Sequence, residues 1–431
     1  MHPENCYFDV TPRVVPSGRK STITIAPRYT HCAFQDGAVY EVRHFPAEEV
    51  SHRGIWKPKP PLTVCAAGGR LSVALGFDGE QEHVLLVETV SQGERRLAGD
   101  FRVYSVRDDL IKRRPYKGDF HVHSCRSDGR EEPAYVAGAS RRIGLDFMAV
   151  TDHRRYEPSL EAQRAYDGVE IDLRIVPGEE VHPPDNPVHI INFGGRFSIN
   201  ALFRDETAYR RGVRAIRRGL PKPPVGVDPY QYASCLWCFD AIREAGGLGV
   251  FCHPYWFTDH RYAPSGPLTS HLFDTMPFDA FEVIGGFHRH EADSNTLQVA
   301  RYHEERSKGR RIPIVGASDA HGCERGELFG WYYTIVFSPS LEWSDLRDSV
   351  KNLYSVAVEA LPGETPRAYG PFRLVKYALF LMREVFPQHD KLCAEEGELM
   401  LNHIAGDRNA ASRLAQLKGR TAALLNIAIA S

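Results

Sequence analysis

The sequence predicts an α/β protein in which a β-rich domain precedes a central region of alternating strands and helices, and further helices follow. Before residue 112 the apolar runs are short, β-branched or alternating, and Asp-Gly and Gly-Gly turns separate them. From Tyr116 onward, apolar strands alternate with helical segments, and polar residues follow the strand ends. Repeated β–α units of this kind favour parallel strands, arranged either in a barrel or in an open sheet.

The composition is that of an ordinary globular protein with room for two or three domains. The 431 residues are 42% hydrophobic and 25% charged, with a formal net charge of -2. This balance gives no reason to expect nucleic-acid or membrane binding, and no apolar run approaches the ~18 residues that span a bilayer. The first residues carry no signal-peptide pattern, and the nine cysteines are scattered. We therefore expect a cytoplasmic protein without a disulfide framework.

Three regions are predicted along the chain. Residues 1–112 form a β-sandwich-like accessory domain, residues 113–340 the α/β domain, and residues 341–431 a mainly helical extension. We expect the extension, with amphipathic segments at 371–385 and 407–429, to cover the α/β domain or to mediate a homo-oligomer. The strands predicted in the first region are residues 21–25, 39–42, 71–75, 84–87 and 101–104.

The α/β domain is predicted to begin with a strand over residues 118–123 and a helix over 132–144, with Pro133 near the first helical position. In a barrel the reactive groups collect at the carboxyl ends of the strands, which is where the polar residues fall. The later strands are predicted at 147–151, 173–176, 188–193, 248–253, 278–284 and 313–317, and the helices at 159–166, 239–245 and 296–307.

The first strand carries a pair of histidines that suits a metal. His121 and His123 alternate with Phe120 and Val122, so on a strand both imidazoles point to one face. Asp128 follows in the next turn. Neutral imidazole and carboxylate are ligands of Zn, Mn and Fe, although His-x-His alone also occurs in ordinary strands.

Nine such residues lie at or just beyond a predicted strand end, or face one side of a strand. A single histidine at such a place is more often a core or surface residue, but nine are not readily explained by chance. One catalytic ion takes about three protein ligands, so two or three ions are expected. The candidate ligands are His121, His123, Asp128, His153, Glu180, His189, His253, Asp319 and His321.

These motifs resemble those of the PHP (polymerase and histidinol phosphatase) family over about residues 115–325. The resemblance implies a distorted (β/α)7 barrel that holds two or three divalent ions, either Mn2+, Fe2+ or Zn2+. The β-rich region before it is similar to one branch of the family, which contains ester- and carbamate-cleaving enzymes of the carbaryl hydrolase type. The matching segments are His121-x-His123 with Ser127-Asp128-Gly129, Thr151-Asp152-His153, Pro177-Gly178-x-Glu180, His189, His253-Pro254 and Asp319-x-His321.

The resemblance also implies a division of the ligands among the ions. Glu180 would bridge two of the ions. The first ion would be held by His121, His123, Glu180 and Asp319, the second by Glu180, His189 and His253, and the third by Asp128, His153 and His321. The predicted catalytic residues are Glu180, Asp319, His253 and Arg154.

Such a site implies hydrolysis without a protein nucleophile. A water that bridges two cations loses a proton near neutral pH and attacks, and the cations neutralise the charge that builds on the attacked centre. No G-x-S-x-G elbow is present in the sequence. His182 and His260 lie beside ligand segments as candidate general acids, although a plain hydrogen-bonding role is the simpler interpretation.

The cations near the ligand segments indicate the substrate. Guanidinium is a planar, bidentate partner of phosphate, which favours a small anionic ester such as a nucleotide. Arg154 and Arg155 could instead pair with Glu157, Glu161 or surface carboxylates. A phosphoesterase is therefore the predicted function; an ester, carbamate or amide hydrolase and a non-catalytic metal-binding module are the alternatives. The arginines concerned are Arg126, Arg154, Arg155 and Arg325.

A basic insertion at residues 195–230 interrupts the β–α series. It is either a lid or clamp for an anionic substrate or a solvated helix face, which is the commoner role of a charge run. Its arginines are Arg204, Arg210, Arg211, Arg214, Arg217 and Arg218.

The pair Cys235 and Cys238 has metal-ligand spacing but no second pair to complete a zinc site. A redox role requires an exposed thiol of low pKa. The pair is predicted to open a helix that runs to Gly246 and to pack in the core, because free cysteine is among the most buried residue types.

Overall fold

The computed structural model describes residues 3–48, 60–91, 94–325 and 328–430. The chain divides into two compact units. The β-rich unit contains Met1–Arg114, Phe372–Leu392 and Gly419–Ser431, and the central unit contains Pro115–Pro371 and Cys393–Lys418. The residues predicted as a C-terminal extension thus contribute to both units.

The strands are as follows. Those that form the two sheets of the β-rich unit are β1 (Phe8–Thr11), β2 (Val14–Pro16), β3 (Arg19–Pro27), β4 (Val39–Pro46), β5 (Leu62–Cys65), β6 (Leu71–Phe77), β7 (Glu82–Ser91) and β8 (Glu94–Val106). The later strands are β9 (Arg114–Asp119), β10 (Phe147–Met148), β11 (Arg174–Ile175), β12 (Gly178–Val181), β13 (Ile190–Phe193), β14 (Leu248–Phe251), β15 (Trp256–Thr258), β16 (Arg261–Ala263), β17 (Ala280–Gly285), β18 (Ile314–Ala317), β19 (Tyr332–Ser338), β20 (Ser355–Glu359) and β21 (Arg367–Tyr369).

The α-helices are α1 (Asp108–Ile111), α2 (Pro133–Arg142), α3 (Glu157–Arg164), α4 (Glu206–Gly219), α5 (Pro229–Glu244), α6 (Gly266–Thr275), α7 (Ala292–Ser307), α8 (Trp343–Lys351), α9 (Phe372–Glu384), α10 (Phe386–Ile404), α11 (Ala410–Leu417) and α12 (Arg420–Ala428). Short 3-10 helices cover Pro3–Cys6, Thr30–Cys32, Asn200–Arg204 and Arg289–Glu291. Among the described residues, no helix is long and apolar enough to cross a membrane.

The β-rich unit contains two sheets that share one core. Their strand orders are β1-β3-β6 and β2-β8-β7-β4-β5, with antiparallel pairing except between β2 and β8. Residues of β6 are alternately buried and exposed, as expected for a strand with one face on a core. Ile23 and Val73 of one sheet and Val42 and Leu85 of the other belong to the same buried cluster. All five strands predicted in this region are confirmed.

The central unit is a mixed α/β structure built on two sheets. Their orders are β11-β10-β9-β19-β20-β21 and β12-β13-β14-β17-β18. The pairs β9–β10, β10–β11, β14–β17 and β17–β18 are parallel, as predicted. Strand β13 is antiparallel to both of its neighbours, which corrects the all-parallel expectation. The connection from β12 to β13, residues 182–189, is too short for a parallel crossover.

Two isolated bridges lie between strand ends of the two sheets. Val122 pairs in parallel with Ala320, and His153 pairs in parallel with Glu180. Each bridge joins the end of a strand in one sheet to the other sheet. The two bridges therefore bring the polar strand ends of both sheets together.

The first predicted strand ends earlier than expected. Strand β9 stops at Asp119, because the Asp119 carboxylate accepts hydrogen bonds from the backbone N–H groups of His121, at 3.1 Å, and Ser318, at 3.0 Å. His121 and His123 therefore lie beyond the end of β9, outside its regular strand pairing. The following helix begins at Pro133, as predicted.

Helix α5 begins well before the predicted start. The Asp228 side chain caps it by accepting hydrogen bonds from the N–H groups of Tyr230 and Gln231. Cys235 and Cys238 therefore lie in mid-helix, both fully buried, and burial raises the pKa of Cys235 to about 12. A thiol of this kind agrees with the packing role and not with a redox one.

Two differences affect the C-terminal residues. The single helix predicted over 407–429 is two helices, α11 and α12, because Gly419 between them has a φ of 80°, a left-handed conformation. Strands β20 and β21 were not predicted within 341–431; β20 pairs with β19 and so belongs to a sheet of the central unit.

The basic insertion forms helix α4, whose N-terminus is capped by Asp205. Tyr209 and Val213 are buried, and they pack one face of the helix against the central unit. Arg210 pairs with Glu206 and Asp185. The other arginines of the helix, which are Arg211, Arg214, Arg217 and Arg218, are exposed, as in the solvated-face interpretation.

Arg141 is the centre of a buried ion cluster. We expect the stability of the central unit to depend on this cluster. Its guanidinium is fully buried and lies 2.8 Å from Asp146 and 2.7 Å from Glu396. Arg141→Met is expected to lower the free energy of unfolding by about 3–5 kcal/mol, because two buried carboxylates lose their partner. Urea denaturation followed by tryptophan fluorescence measures the loss.

The neighbouring Arg142 is the matched control. Its side chain is 30% exposed and pairs with the exposed Glu324. Arg142→Met should cost no more than about 1 kcal/mol. Equal effects of the two substitutions would contradict the role given to the buried cluster.

Candidate metal centre

All nine predicted ligands lie in the central unit near strand ends. His121 and His123 follow β9, His153 follows β10, and His253 follows β14. Glu180 lies within β12, and His189 immediately precedes β13. Because β12 and β13 are antiparallel, the start of β13 lies at the same edge as the end of β12. Asp319 and His321 follow β18, and Asp128 lies in the turn after β9.

Glu180 is the central residue of this group and is fully buried. Its Oε1 lies 2.9 Å from His189 Nδ1 and 3.4 Å from His253 Nε2. Its Oε2 lies 3.6 Å from His121 Nε2 and 3.7 Å from His123 Nε2. The two carboxylate oxygens therefore face two different pairs of imidazoles, which is the arrangement of a bridging carboxylate.

Asp319 contacts the two imidazoles that face Glu180 Oε2, which are those of His121 and His123. Its Oδ1 is 3.1 Å from His121 Nε2 and 2.8 Å from His123 Nε2. One atom from each of these three side chains lies within 4.8 Å of the others. Glu180, His121 and Asp319 thus converge on one small region.

A second cluster adjoins the first through His123. Asp128 Oδ2 lies 3.2 Å from His153 Nε2, and Asp128 Oδ1 lies 3.4 Å from His321 Nε2. The His123 ring centroid is 4.3 Å from those of both His153 and His321. His153 Nδ1 also contacts Glu180 Oε2. The structure thus brings all nine predicted residues together.

Several buried atoms in the cluster make no well-oriented hydrogen bond within the described chain, although carboxylate or imidazole atoms lie close to them, as expected if they are ligands. Such buried polar atoms are rare in folded proteins, because each costs free energy unless a partner or an ion satisfies it. Imidazole and carboxylate are the donors that divalent Mn, Fe and Zn accept. The residues present therefore fit divalent ions. The atoms concerned are His121 Nε2, His123 Nδ1, Glu180 Oε2 and His189 Nδ1.

The electrostatics of the cluster favour cations. Burial alone would raise the pKa of Glu180, but His189 and His121 hold it well below its usual value. The pKa of Asp319 is likewise lowered against the effect of burial, chiefly by His121 and His123. Burial lowers the pKa of His189 to about 4, so this imidazole is neutral at neutral pH. Ionised carboxylates and neutral imidazoles are the protonation states that bind metal.

The pKa of His121 indicates that its surroundings favour a positive charge. Burial alone would lower its pKa, but Asp319 and Glu180 raise it well above the usual value. The two carboxylates thus stabilise a positive charge at this position, and a divalent ion would replace the proton.

Three buried carboxylates around the cluster were not predicted as site residues. Glu282 Oε2 lies 3.2 Å from His121 Nδ1, which leaves the opposite ring nitrogen facing Glu180 and Asp319. Asp152 accepts hydrogen bonds from Ser124 and Ser127, and Asp119 accepts from Ser318. The signal for Glu282 was an acidic residue inside the apolar strand Ala280–Gly285.

The two candidate general acids differ in their positions. His182 Nε2 lies 3.4 Å from Glu180 Oε2 and 3.0 Å from His153 Nδ1. His182 therefore joins the nine predicted residues as a tenth candidate metal ligand. His260 instead lies at the exposed tip of the β15–β16 hairpin, where Asp259 and His260 both have positive φ. No described contact joins His260 to the cluster.

Three residues of the site have a left-handed backbone that is unusual for residues other than glycine. The φ angles are 59° at Arg154, 27° at His253 and 52° at Asp319. Such conformations cost about 1–3 kcal/mol each and concentrate at functional sites. The orientation of these three residues therefore lowers the stability of the fold, and the surrounding structure must compensate for this cost.

The cluster opens into a cavity of about 510 Å³. Arg154 is exposed at this cavity and forms no ion pair with another described residue. The alternative partners are occupied, since Glu161 pairs with Arg126 and Glu157 pairs with Arg164. The other lining residues include His182, Trp256, Phe287, His288 and Leu328. The predicted cations Arg155 and Arg325 are exposed but do not line this cavity.

No protein-family model and no curated protein matches the chain. Similar solved structures include a two-domain protein from Bacteroides vulgatus, described as containing a predicted PHP-like metal-dependent phosphoesterase. Its TM-score is 0.43, with 17% identity over 63% of this chain and 71% of that one. This description names the family that the motifs resemble.

Two further structures cover less of the chain. A candidate metal-dependent phosphoesterase from Bifidobacterium adolescentis has a TM-score of 0.33 and 20% identity, covering 50% of this chain and 92% of that one. An amidohydrolase from Chromobacterium violaceum has a TM-score of 0.31 and 22% identity, covering 49% of this chain and 89% of that one. These values are too low to assign an activity to this chain.

The contact between Glu282 and His121 yields a prediction about metal affinity. Glu282→Gln should weaken metal binding by about 10–100-fold, because the His121 ring loses the carboxylate that orients it. Competition with a fluorescent chelator measures the affinity. The matched control is Glu384→Gln, which changes a buried carboxylate in the β-rich unit. Unchanged affinity in the Glu282 variant would contradict the orienting role.

Proposed function

We propose that this chain is a metal-dependent phosphoesterase that hydrolyses a small anionic phosphate ester. The observation that carries the proposal is the buried Glu180 carboxylate, whose two oxygens face separate pairs of imidazoles, together with Asp319, which contacts one of these pairs. This arrangement suits divalent ions that share a bridging carboxylate.

We infer a barrel as the frame of the site. The bridges Val122–Ala320 and His153–Glu180 support a closed arrangement, because they join the strand ends at both edges of the second sheet to the first. A distorted barrel of this kind would collect the strand ends around one opening. The strands proposed to form it are β9, β10, β12, β13, β14, β17 and β18.

We assign two or three divalent ions to the cluster, with Glu180 shared between two of them. The bound ions would supply Lewis acidity, which activates water near neutral pH and neutralises negative charge on the ester. His321 Nδ1 lies 2.8 Å from the Asp319 carbonyl oxygen and donates to it, so Nε2 remains available as a ligand. The proposed ligand sets are those that the family resemblance implies, and His182 is an additional candidate ligand beside Glu180.

Arg154 favours phosphate over a neutral ester. Its guanidinium is free of ion pairs within the described chain and lines the cavity above the cluster. It would bind the non-bridging oxygens of the ester and stabilise the charge that builds on them. A small phosphate ester, including a nucleotide, is the substrate class that this arrangement fits.

The proposal predicts metal-dependent turnover of a simple aryl phosphate. Purified protein loaded with Mn2+ should hydrolyse 4-nitrophenyl phosphate, a chelator should abolish the activity, and added Mn2+ should restore it. Elemental analysis of the same samples should give two or three divalent ions per chain. Cleavage of 4-nitrophenyl acetate or an aryl carbamate without phosphate cleavage would instead support a carboxylic ester or carbamate hydrolase. Inactivity on all these esters would support a non-catalytic metal-binding module.

The role of Arg154 predicts a selective kinetic defect. Arg154→Ala should lower kcat/KM for 4-nitrophenyl phosphate by about 10–100-fold, because a charged hydrogen-bond donor to the phosphate is lost. Metal content should not change. Arg217→Ala removes an exposed arginine on α4 and serves as the control. An equal loss with both variants, or none with Arg154→Ala, would contradict the assignment.

A further inference from the structure

A second cavity, of about 600 Å³, lies beside the metal centre, and Arg154 lines both cavities. The second cavity is lined by arginines from three separate parts of the chain, of which Arg126 lies in the turn after β9. Arg154 and Arg155 follow His153, and Arg204 ends the 3-10 helix Asn200–Arg204 in the basic insertion. Of the arginines of the basic insertion, Arg204 is the one that lines this cavity.

The lining of this cavity has an excess of positive charge. Of its carboxylates, Glu161 is held by Arg126 through two contacts of 2.6 and 2.9 Å, and Glu157 is held by Arg164 at 2.7 Å. Arg154, Arg155 and Arg204 form no ion pair with another described residue and are exposed to the cavity. Three guanidinium groups therefore have donors that no carboxylate of the described chain uses.

The arginine-bearing segments are anchored on the strand that carries the bridging carboxylate. The carbonyl oxygen of Glu180 accepts one hydrogen bond from Arg154 N and another from Asn200 Nδ2, both at 2.9 Å. Glu179, the preceding residue, is fully buried and accepts hydrogen bonds from Ser198 Oγ and Asn200 Nδ2. The start of the insertion is thereby fixed relative to Glu180.

We propose that this cavity is a subsite for a second anionic group of the substrate, either a phosphate or a carboxylate, at a distance from the ester that is cleaved. The inference rests on the proposed phosphoesterase function and adds to it. Guanidinium groups bind both anions through paired hydrogen bonds. Such a substrate would place one anionic group at the metal centre and the other near Arg155 and Arg204. Arg154, which lines both cavities, would lie between the two groups.

The subsite predicts a preference for substrates with two anionic groups. A series of α,ω-alkanediol bisphosphates of increasing length is compared with the matching alkyl monophosphates. At the length that spans both cavities, kcat/KM of the bisphosphate should exceed that of the monophosphate by about tenfold or more, mainly through a lower KM. No preference at any length, beyond the statistical factor of two equivalent phosphates, would overturn the proposal.

Exposed arginines allow variants that should fold. Arg155→Ala, Arg204→Ala and the double variant should reduce or remove the advantage of the bisphosphate, with the largest effect in the double variant. Arg211→Ala and Arg214→Ala change exposed arginines of the same insertion that do not line the cavity, and they should keep the advantage. Persistence of the advantage in the double variant would overturn the proposal.

A binding measurement separates failure of the subsite from failure of the phosphoesterase function. Isothermal titration calorimetry of metal-free protein should show tighter binding of the best bisphosphate than of its monophosphate, and the double variant should lose this difference. If no phosphate ester is hydrolysed, the phosphoesterase proposal fails, and the calorimetry still decides the subsite. Stimulation of monophosphate turnover by inorganic phosphate, without a bisphosphate preference, would assign the cavity to a free anion and overturn the substrate subsite.

Discussion

The structure of the site depends on one buried carboxylate. Glu180 has no exposure to solvent, and imidazoles approach both of its oxygens. A buried carboxylate is costly unless positive charge lies next to it. The surrounding histidines can supply that charge as protons, and divalent ions can supply it more strongly. The convergence of side chains from distant parts of the sequence follows from this requirement.

The fold places positive charge near Glu180 by bringing strand ends together. It also gives the adjacent residues Glu179 and Glu180 different roles. Glu179 and Glu180 point to opposite faces of β12, as neighbours on a strand do. Glu180 faces the imidazoles, whereas Glu179 holds the start of the insertion through Ser198 and Asn200. One strand therefore supports both the metal centre and the arginine-bearing segment beside it.

Much of this could be predicted from the sequence because local patterns carry it. The residues that converge each follow or flank a recognisable apolar run, and the start of α2 at Pro133 is a local signal. The direction of β13 could not be predicted, since it depends on pairing between distant segments. Glu282 was hidden because its strand is otherwise apolar, and only the fold brings it to His121. The early end of β9 depends on Asp119 contacting Ser318, which is equally distant in sequence.

Neither compact unit is a continuous stretch of polypeptide, since Phe372–Leu392 and Gly419–Ser431 belong to one and Cys393–Lys418 to the other. A gene truncated after codon 340 would therefore encode both units incompletely, without β20 from one and α9 from the other. Recombination could not exchange the central unit as a single cassette. A genetic exchange that keeps both units whole must therefore carry the β-rich unit and the central unit together.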